Sequence, residues 1–228
     1  MKQLYPDLWQ SRAARPFGPG MSTHAYLLTR STGNILFYNP SSSDDYDHIR
    51  RLGSIARQYL SHRDEAGAGL TQIKQLFGAQ LCCHRLEEAA VGVWLRVDIV
   101  SDQRETHLGV IEVIPTPGHT AGSSCFLVRS SCGKSYLFTG GTILPEGDSW
   151  DTYFSPAQTL TLVESLTVLS ELAPDVALSR ALTGPFSFRE LSPDQWPAIV
   201  NSVIHRLSTL GASCRESSSP GKLREPLS

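Results

Sequence analysis

The sequence predicts an α/β protein made of two β-sheets covered on their outer faces by helices, four layers deep. A strand-rich run followed by a helix occurs twice along the chain, and elements in that order favour stacked sheets with helices outside. No long Pro/Gly/Ser linker divides the 228 residues, so a single domain over 1–228 with a substantial core is expected.

The elements follow in order. Residues 1–20 hold Trp9, Phe17, three prolines and two glycines and read as an extended N-terminal arm packed on the domain. HAYLLTRSTGNILFYNP has two apolar runs around RSTGN, a hairpin pattern that Asn39-Pro40 ends. DHIRRLGSIARQYL reads as a helix feeding a short strand that ends near Ser61, with Ser43, Asp44 and Asp45 as candidate caps. Leu70, Ile73, Leu76 and Phe77 recur at helical spacing before a stop at Gly78. From Val91 the pattern changes to short apolar or alternating runs, VGVWLRVDIV, GVIEVIPT, SCFLVRS and SYLFTG, which read as strands. Residues 155–173 read as a helix with Leu160, Val163, Leu166, Thr167 and Leu169 on its apolar side, and DVALS as a short strand. A final helix is expected over residues 193–210, with Pro193 near its start and Gly211 at its end.

Composition excludes several function classes. With 20 basic and 22 acidic residues the net charge is -2, so no concentrated basic surface argues for nucleic acid or an anionic membrane. No stretch approaches the roughly 18 apolar residues of a spanning helix, and the N-terminus lacks the apolar core of a signal peptide. The five cysteines are odd in number and form no CxxC pair, against a disulfide scaffold or zinc knuckle. Cys82-Cys83 reads as ordinary buried sulfur. A cytoplasmic location is the simplest expectation.

Two segments carry the chemistry, LSHRDEAGAG (residues 60–69) and PTPGHTAGSSCFLV (residues 115–128). His62 and Asp64, at i and i+2 just past a strand, converge on one point if the chain turns there. Imidazole and carboxylate together suit zinc, and also iron or manganese. His119 follows a strand within TPGHT, where Pro117 and Gly118 fix a tight turn and Thr120 or Ser123 is placed to give a supporting hydrogen bond. Spacing alone leaves open that both histidines are ordinary hydrogen-bonding residues. Neither a G-x-x-x-x-G-K-[ST] phosphate loop nor a G-x-S-x-G elbow occurs.

From about His24 to about Gly184 these segments resemble the metallo-β-lactamase superfamily, especially its glyoxalase-II-like hydrolase branch. The resemblance implies an αβ/βα sandwich with a metal site at the edge between the sheets. It also implies T-H-x-H-x-D-H, P-G-H-T-x-G-S and F-T-G-D segments and a late histidine. Here Ser61 matches the threonine, His62 the first histidine and His119 the histidine of PGHTAGS, while Gly69 keeps a family glycine. Asp64 stands at the second histidine, Ala66 at the aspartate ligand, Gly67 at the next histidine and Gly141 at the bridging aspartate. No histidine lies in DVALSRALTG, and His205 is far downstream in an apparent helix. The resemblance therefore implies one metal position built from His62, Asp64 and His119, and a second that is lost. Glu65, one residue out of register, and Asp148 and Asp151, in the loop after FTGG, are candidate replacement ligands. It also places Asn39, Trp150, Tyr153, Phe154 and Phe186 around the pocket.

Two functions follow from that ligand set. One is a mononuclear metal-dependent hydrolase of an ester, thioester or amide bond in a small molecule, with Asp64 or Glu65 as acid/base candidate. One zinc ion is the expected cofactor, with iron or manganese less favoured. The other is a catalytically inactive relative that binds a small ligand or a protein partner, with no metal. A diiron redox role and a two-metal nuclease role both need ligands this chain lacks.

Overall fold

The computed structural model describes residues 1–16, 18–40 and 43–216, with side chains to residue 209; Phe17 and Ser41 lie outside the described residues. Its two main sheets follow chain order. The first holds β1 (Lys2–Tyr5), β2 (Leu8–Gln10), β3 (Tyr26–Leu28), β4 (Asn34–Phe37), β5 (Ile55–Tyr59), β6 (Gln80–His84) and β7 (Ile99–Ser101), side by side in that sequence. Pairing is antiparallel from β1 to β4 and parallel from β4 to β7. The second sheet holds β8 (Glu105–His107), β9 (Ile111–Pro115), β10 (Ser124–Arg129), β11 (Ser135–Gly140), β12 (Val176–Ser179) and β13 (Phe188–Glu190), again neighbour to neighbour. Only β11 and β12 are parallel within it.

Alternation along the strands assigns the layers. Val113, Phe126, Val128, Tyr136, Phe138, Val176 and Leu178 face Phe37 and Tyr59 of the first sheet in one buried cluster. Their neighbours Ile114, Cys125, Leu137 and Ala177 point the other way. There they meet α4 (Thr159–Ser170) through Leu162, Leu166 and Leu169, and α5 (Gln195–Glu216) through Trp196, Val200, Val203 and Leu207. The outer face of the first sheet carries α1 (Tyr46–Leu52), α2 (Ala68–Phe77) and α3 (Glu88–Gly92). Leu60, Leu70, Leu81, Cys83 and Val91 form a third cluster there. The result is a four-layer αβ/βα sandwich.

Several expectations hold: the hairpin of β3 and β4, α2 with its left-handed stop at Gly78, and strands over GVIEVIPT, SCFLVRS and SYLFTG. Cys82 and Cys83 are buried free thiols, and burial pushes both up to about 12. Three expectations are corrected. The segment read as an extended arm begins with β1 and β2, which extend the first sheet edge-on through main-chain pairing. VGVWLRVDIV is strand only from Ile99, because Val91 and Gly92 end α3 and Val93 and Trp94 stand exposed in the turn after it. The last helix does not stop at Gly211 but continues to Glu216.

Between the sheets, the Phe37 and Phe138 rings stack with centroids 3.9 Å apart. Both rings are fully buried. Phe138→Ala should therefore cost about 3–5 kcal/mol by urea unfolding; a loss under about 1 kcal/mol would contradict this packing.

Candidate metal centre

The candidate side chains stand on loops that leave the strands at one edge of the sandwich. His62 comes after β5, His119 after β9, Gly141 after β11 and Arg180 after β12. The edge is tied across the two sheets, because the Ser124 amide at the start of β10 donates to the Ser61 carbonyl at 2.9 Å.

Immediately past β5 the chain turns into a single 3-10 turn, Arg63–Glu65, with His62 still extended at its head. That turn brings Asp64 round to the His62 side. The donor atoms of His62, Asp64 and His119 all lie within 4.8 Å of one another, with His119 Nε2 and Asp64 Oδ2 at 3.7 Å. The two imidazoles cross edge-to-face with centroids 4.6 Å apart.

Each imidazole is held by its other nitrogen. His119 Nδ1 donates to the Tyr153 carbonyl at 2.7 Å, since a carbonyl only accepts, and Nε2 keeps its lone pair toward the cluster. His62 Nδ1 lies 2.7 Å from Ser61 Oγ, whose own hydroxyl donates to Glu65 Oε1. That leaves Nε2 as the remaining nitrogen of His62 as well. Burial and the neighbouring His62 push His119 below the usual histidine range, which favours the neutral form, the form that ligates metals.

Glu65 lies beneath this arrangement. Its buried carboxylate accepts from the Ser61 amide at 2.9 Å and the Asn39 amide at 3.2 Å, and it is not among the three converging donors. Burial opposes its charge, but His62, Arg180 and Ser61 outweigh burial and hold it below the ordinary value. Asp64, by contrast, is about half exposed along its side chain.

Gly141 explains how close the rings come. A Cβ there would sit 2.8 Å from His119 Nε2 and 3.0 Å from His62 Cε1, so the imidazoles occupy the space a side chain would take. The preceding Gly140 has φ +58° and its amide donates to the buried Tyr38 hydroxyl at 2.8 Å. Tyr38 itself adopts φ +70°, a conformation uncommon for a residue with a Cβ.

The sequence did not point to Glu87. This carboxylate, its side chain 1% exposed, joins the two ligand loops. Arg63 Nε donates to it at 2.5 Å and the Arg63 amide at 3.1 Å. From the other loop, the Thr120 hydroxyl donates at 2.9 Å and the Gly122 amide at 2.6 Å. Thr120 and Ser123 bond to Glu87 and to each other and not to the His119 ring, so the supporting bond expected from them comes from the Tyr153 carbonyl.

The expected pocket residues divide. Tyr153 lines a cavity of about 210 Å³ over the three donors, with Met21, Leu144 and Ala181. Asn39 lines a neighbouring groove of about 580 Å³. Trp150 is not at either: it is 3% exposed and meets Trp196 edge-on in the core. Phe186 and Trp150 border a separate cavity near Gly147, and Phe154 packs onto the cluster beneath α4. Asp148 and Asp151 are not among the converging donors.

Burial opposes the charge on Glu87, but Arg63, Thr120 and Gly122 hold its carboxyl below the ordinary value. A depressed carboxyl contributes stability that is complete above its unfolded pKa and is lost as pH falls through the folded one. Glu87→Gln should therefore lower the melting temperature at pH 7 and flatten the acid limb of the stability curve. An acid limb as steep as in the unaltered protein would remove Glu87 from this role.

Comparison with protein-family models and with curated protein sequences found no match. Solved structures do match. A metallo-β-lactamase from Cronobacter sakazakii, described as a HARLDQ motif mutant, aligns with TM-score 0.70 at 16% identity, covering 96% of this chain and 98% of that one. The MIM-2 metallo-β-lactamase aligns with TM-score 0.65 at 18% identity over 84% of each chain. The metallo-β-lactamase SMB-1, in a complex with mercaptoacetic acid, aligns with TM-score 0.63 at 17% identity, covering 84% of this chain and 90% of that one. At these identities the likeness concerns architecture: the chain has the metallo-β-lactamase fold.

Proposed function

We propose that this protein is a metal-dependent hydrolase that holds one ion between His62, Asp64 and His119. Its substrate would be an ester, thioester or amide of a small molecule, the range suggested by the glyoxalase-II-like resemblance. The observation that carries the reading is the convergence of three donors whose supports are already in place. A tetrahedral zinc with bonds of about 2.0–2.2 Å spaces its donors roughly 3.3–3.6 Å apart. The 3.7 Å between His119 Nε2 and Asp64 Oδ2 is near that spacing, and all three donors lie within 4.8 Å of one another. Two imidazoles and a carboxylate form a donor set used by catalytic zinc sites, and zinc is the metal we assign.

Bound there, the ion would supply Lewis-acid activation of water and of a carbonyl oxygen. The chain's own residues prepare for it. Tyr153 fixes the His119 tautomer through its carbonyl, and Ser61 with Glu65 fixes His62. Glu65 acts by orientation, because its oxygens are committed to Ser61 and Asn39. Asp64 serves as ligand. The apolar wall of Met21, Leu144 and Ala181 with the Tyr153 ring accepts an acyl or aromatic group better than a second strongly charged one.

Metal content by mass spectrometry on tag-free protein tests the reading, beside His119→Ala and Asp64→Ala. Near-stoichiometric zinc is expected after reconstitution. Each variant should lose at least the roughly 10–100-fold in affinity that removal of an outer supporting partner alone costs. Absence of bound zinc, iron and manganese would sink the hydrolase and favour the inactive, ligand-binding alternative.

A further inference from the structure

Among the described residues, only Tyr38 and Leu108 have positive φ without being glycine. Leu108 stands exposed in the turn between β8 and β9. Tyr38 is fully buried, one residue past β4. A residue with a Cβ is strained at its φ of +70°. Strain of this kind persists where the surroundings over-determine it, and such places cluster at functional sites. The surroundings of Tyr38 are explicit. Its amide donates to the Tyr59 carbonyl at 2.8 Å, and its carbonyl accepts from Gln58 Nε2 at 3.2 Å. Both partners lie on β5, the strand that leads into His62. Glycine would relieve the strain but would carry no side chain.

That side chain crosses from the first sheet to the second. Its ring meets Tyr26 and Phe138 edge-on. Its hydroxyl accepts from the Gly140 amide at 2.8 Å and donates toward the Leu178 carbonyl at 3.5 Å. Gly140 is the last residue of β11, and Gly141 follows it under the centre. A Cβ on Gly140 would overlap Ser61, whose Oγ bonds His62 Nδ1. A Cβ on Gly141 would sit 2.7 Å from His119 Cδ2 and 3.0 Å from His62 Cε1. These two backbone positions are the floor on which Ser61 and both imidazoles rest. Ser179 Oγ holds the Gly140 carbonyl at 3.2 Å from within the second sheet, and the Tyr38 hydroxyl holds the Gly140 amide from the first.

We propose that Tyr38 is a positioning residue of this centre: its hydroxyl fixes the Gly140–Gly141 turn and, through the turn, the placement of the His62 and His119 rings. The part that concerns a bound ion rests on the hydrolase reading; the placement of the rings does not. Without the oxygen, the buried Gly140 amide loses that acceptor. An unsatisfied buried donor is costly enough to move the turn toward another partner, and the rings move with it.

Tyr38→Phe tests this beside Tyr26→Phe. Tyr26 is equally buried in the same ring cluster, but its hydroxyl donates to the Ser179 and Ser187 carbonyls and not to the turn. Nitrogen NMR of the imidazoles is read first, on chelator-treated protein at about pH 8, where an ordinary imidazole is neutral. The His62 and His119 signals should both move in Tyr38→Phe and stay in place in Tyr26→Phe. Unmoved signals in folded Tyr38→Phe, or equal movement in the two variants, overturn the proposal. Circular dichroism melting identifies a Tyr38→Phe that fails to fold. In that event 3-fluorotyrosine at Tyr38 decides, having nearly the same shape and a weaker acceptor oxygen: the same signals should move, and unmoved signals overturn the proposal. Zinc affinity and cobalt(II) absorption are read separately. Tyr38→Phe should lose roughly tenfold in zinc affinity, the lower end of what removing an outer support costs, and should shift the visible bands of bound cobalt(II). Tyr26→Phe should stay within about twofold of the unaltered protein, because it touches no support of the ligands. Zinc bound equally well by Tyr38→Phe, with unshifted cobalt(II) bands, overturns the role at the metal. Absence of zinc from the unaltered protein removes the hydrolase reading, and the imidazole signals still decide the placement of the rings.

Discussion

A buried carboxylate between two loops is the constraint on which the centre depends. Glu87 accepts from Arg63 on the loop that carries His62 and Asp64, and from Thr120 and Gly122 on the loop that carries His119. A charge so fully removed from water is tolerated only when its oxygens are satisfied by directed donors. Here those donors come from segments far apart in the chain, so satisfying the carboxylate and aligning the loops are one event. The convergence of three donors is the geometric consequence.

The fold supplies what the loops need. The first sheet ends its parallel strands, and the second sheet its central strands, at a common edge where main-chain bonding links Ser61 to Ser124. Stacked rings such as Phe37 and Phe138 fix the spacing of the sheets below that edge. Side chains one to four residues beyond a strand end then have little freedom. His62 and His119 meet because the strands beneath them cannot slide, and Arg180 reaches the same space from β12. Rigid elements hold the site and short loops carry it, the division expected of layered α/β proteins.

Much of this was legible in the sequence where periodicity and burial agree. The alternation in SCFLVRS and SYLFTG marks strands because one side faces the other sheet and the next faces α4 and α5. The misreadings come where they disagree. Val93 and Trp94 are apolar yet exposed, so the run after Val91 mimics a strand. The residues of β1 and β2 belong to the sheet through main-chain pairing more than through side-chain pattern, which composition does not reveal. Among the site residues, His62, Asp64 and His119 stand in turns with recognisable ligand chemistry. Glu87 gave no such signal, since it is one acidic residue among 22 and its partners are remote in sequence. Trp150 shows the limit of placing pocket walls by position, because its ring packs against Trp196 in the interior.

Gly141 bears on how such a centre can change over time. The His62 and His119 rings fill the volume where a side chain at this position would begin. A Cβ there lies 2.7 Å from His119 Cδ2 and 3.0 Å from His62 Cε1, so a carboxylate introduced at 141 would require the His119 ring to shift and the His62 ring to give slightly. Adding a donor at 141 and keeping His119 where it stands are therefore coupled: the ring that offers Nε2 to the cluster also sets the room for any further side chain.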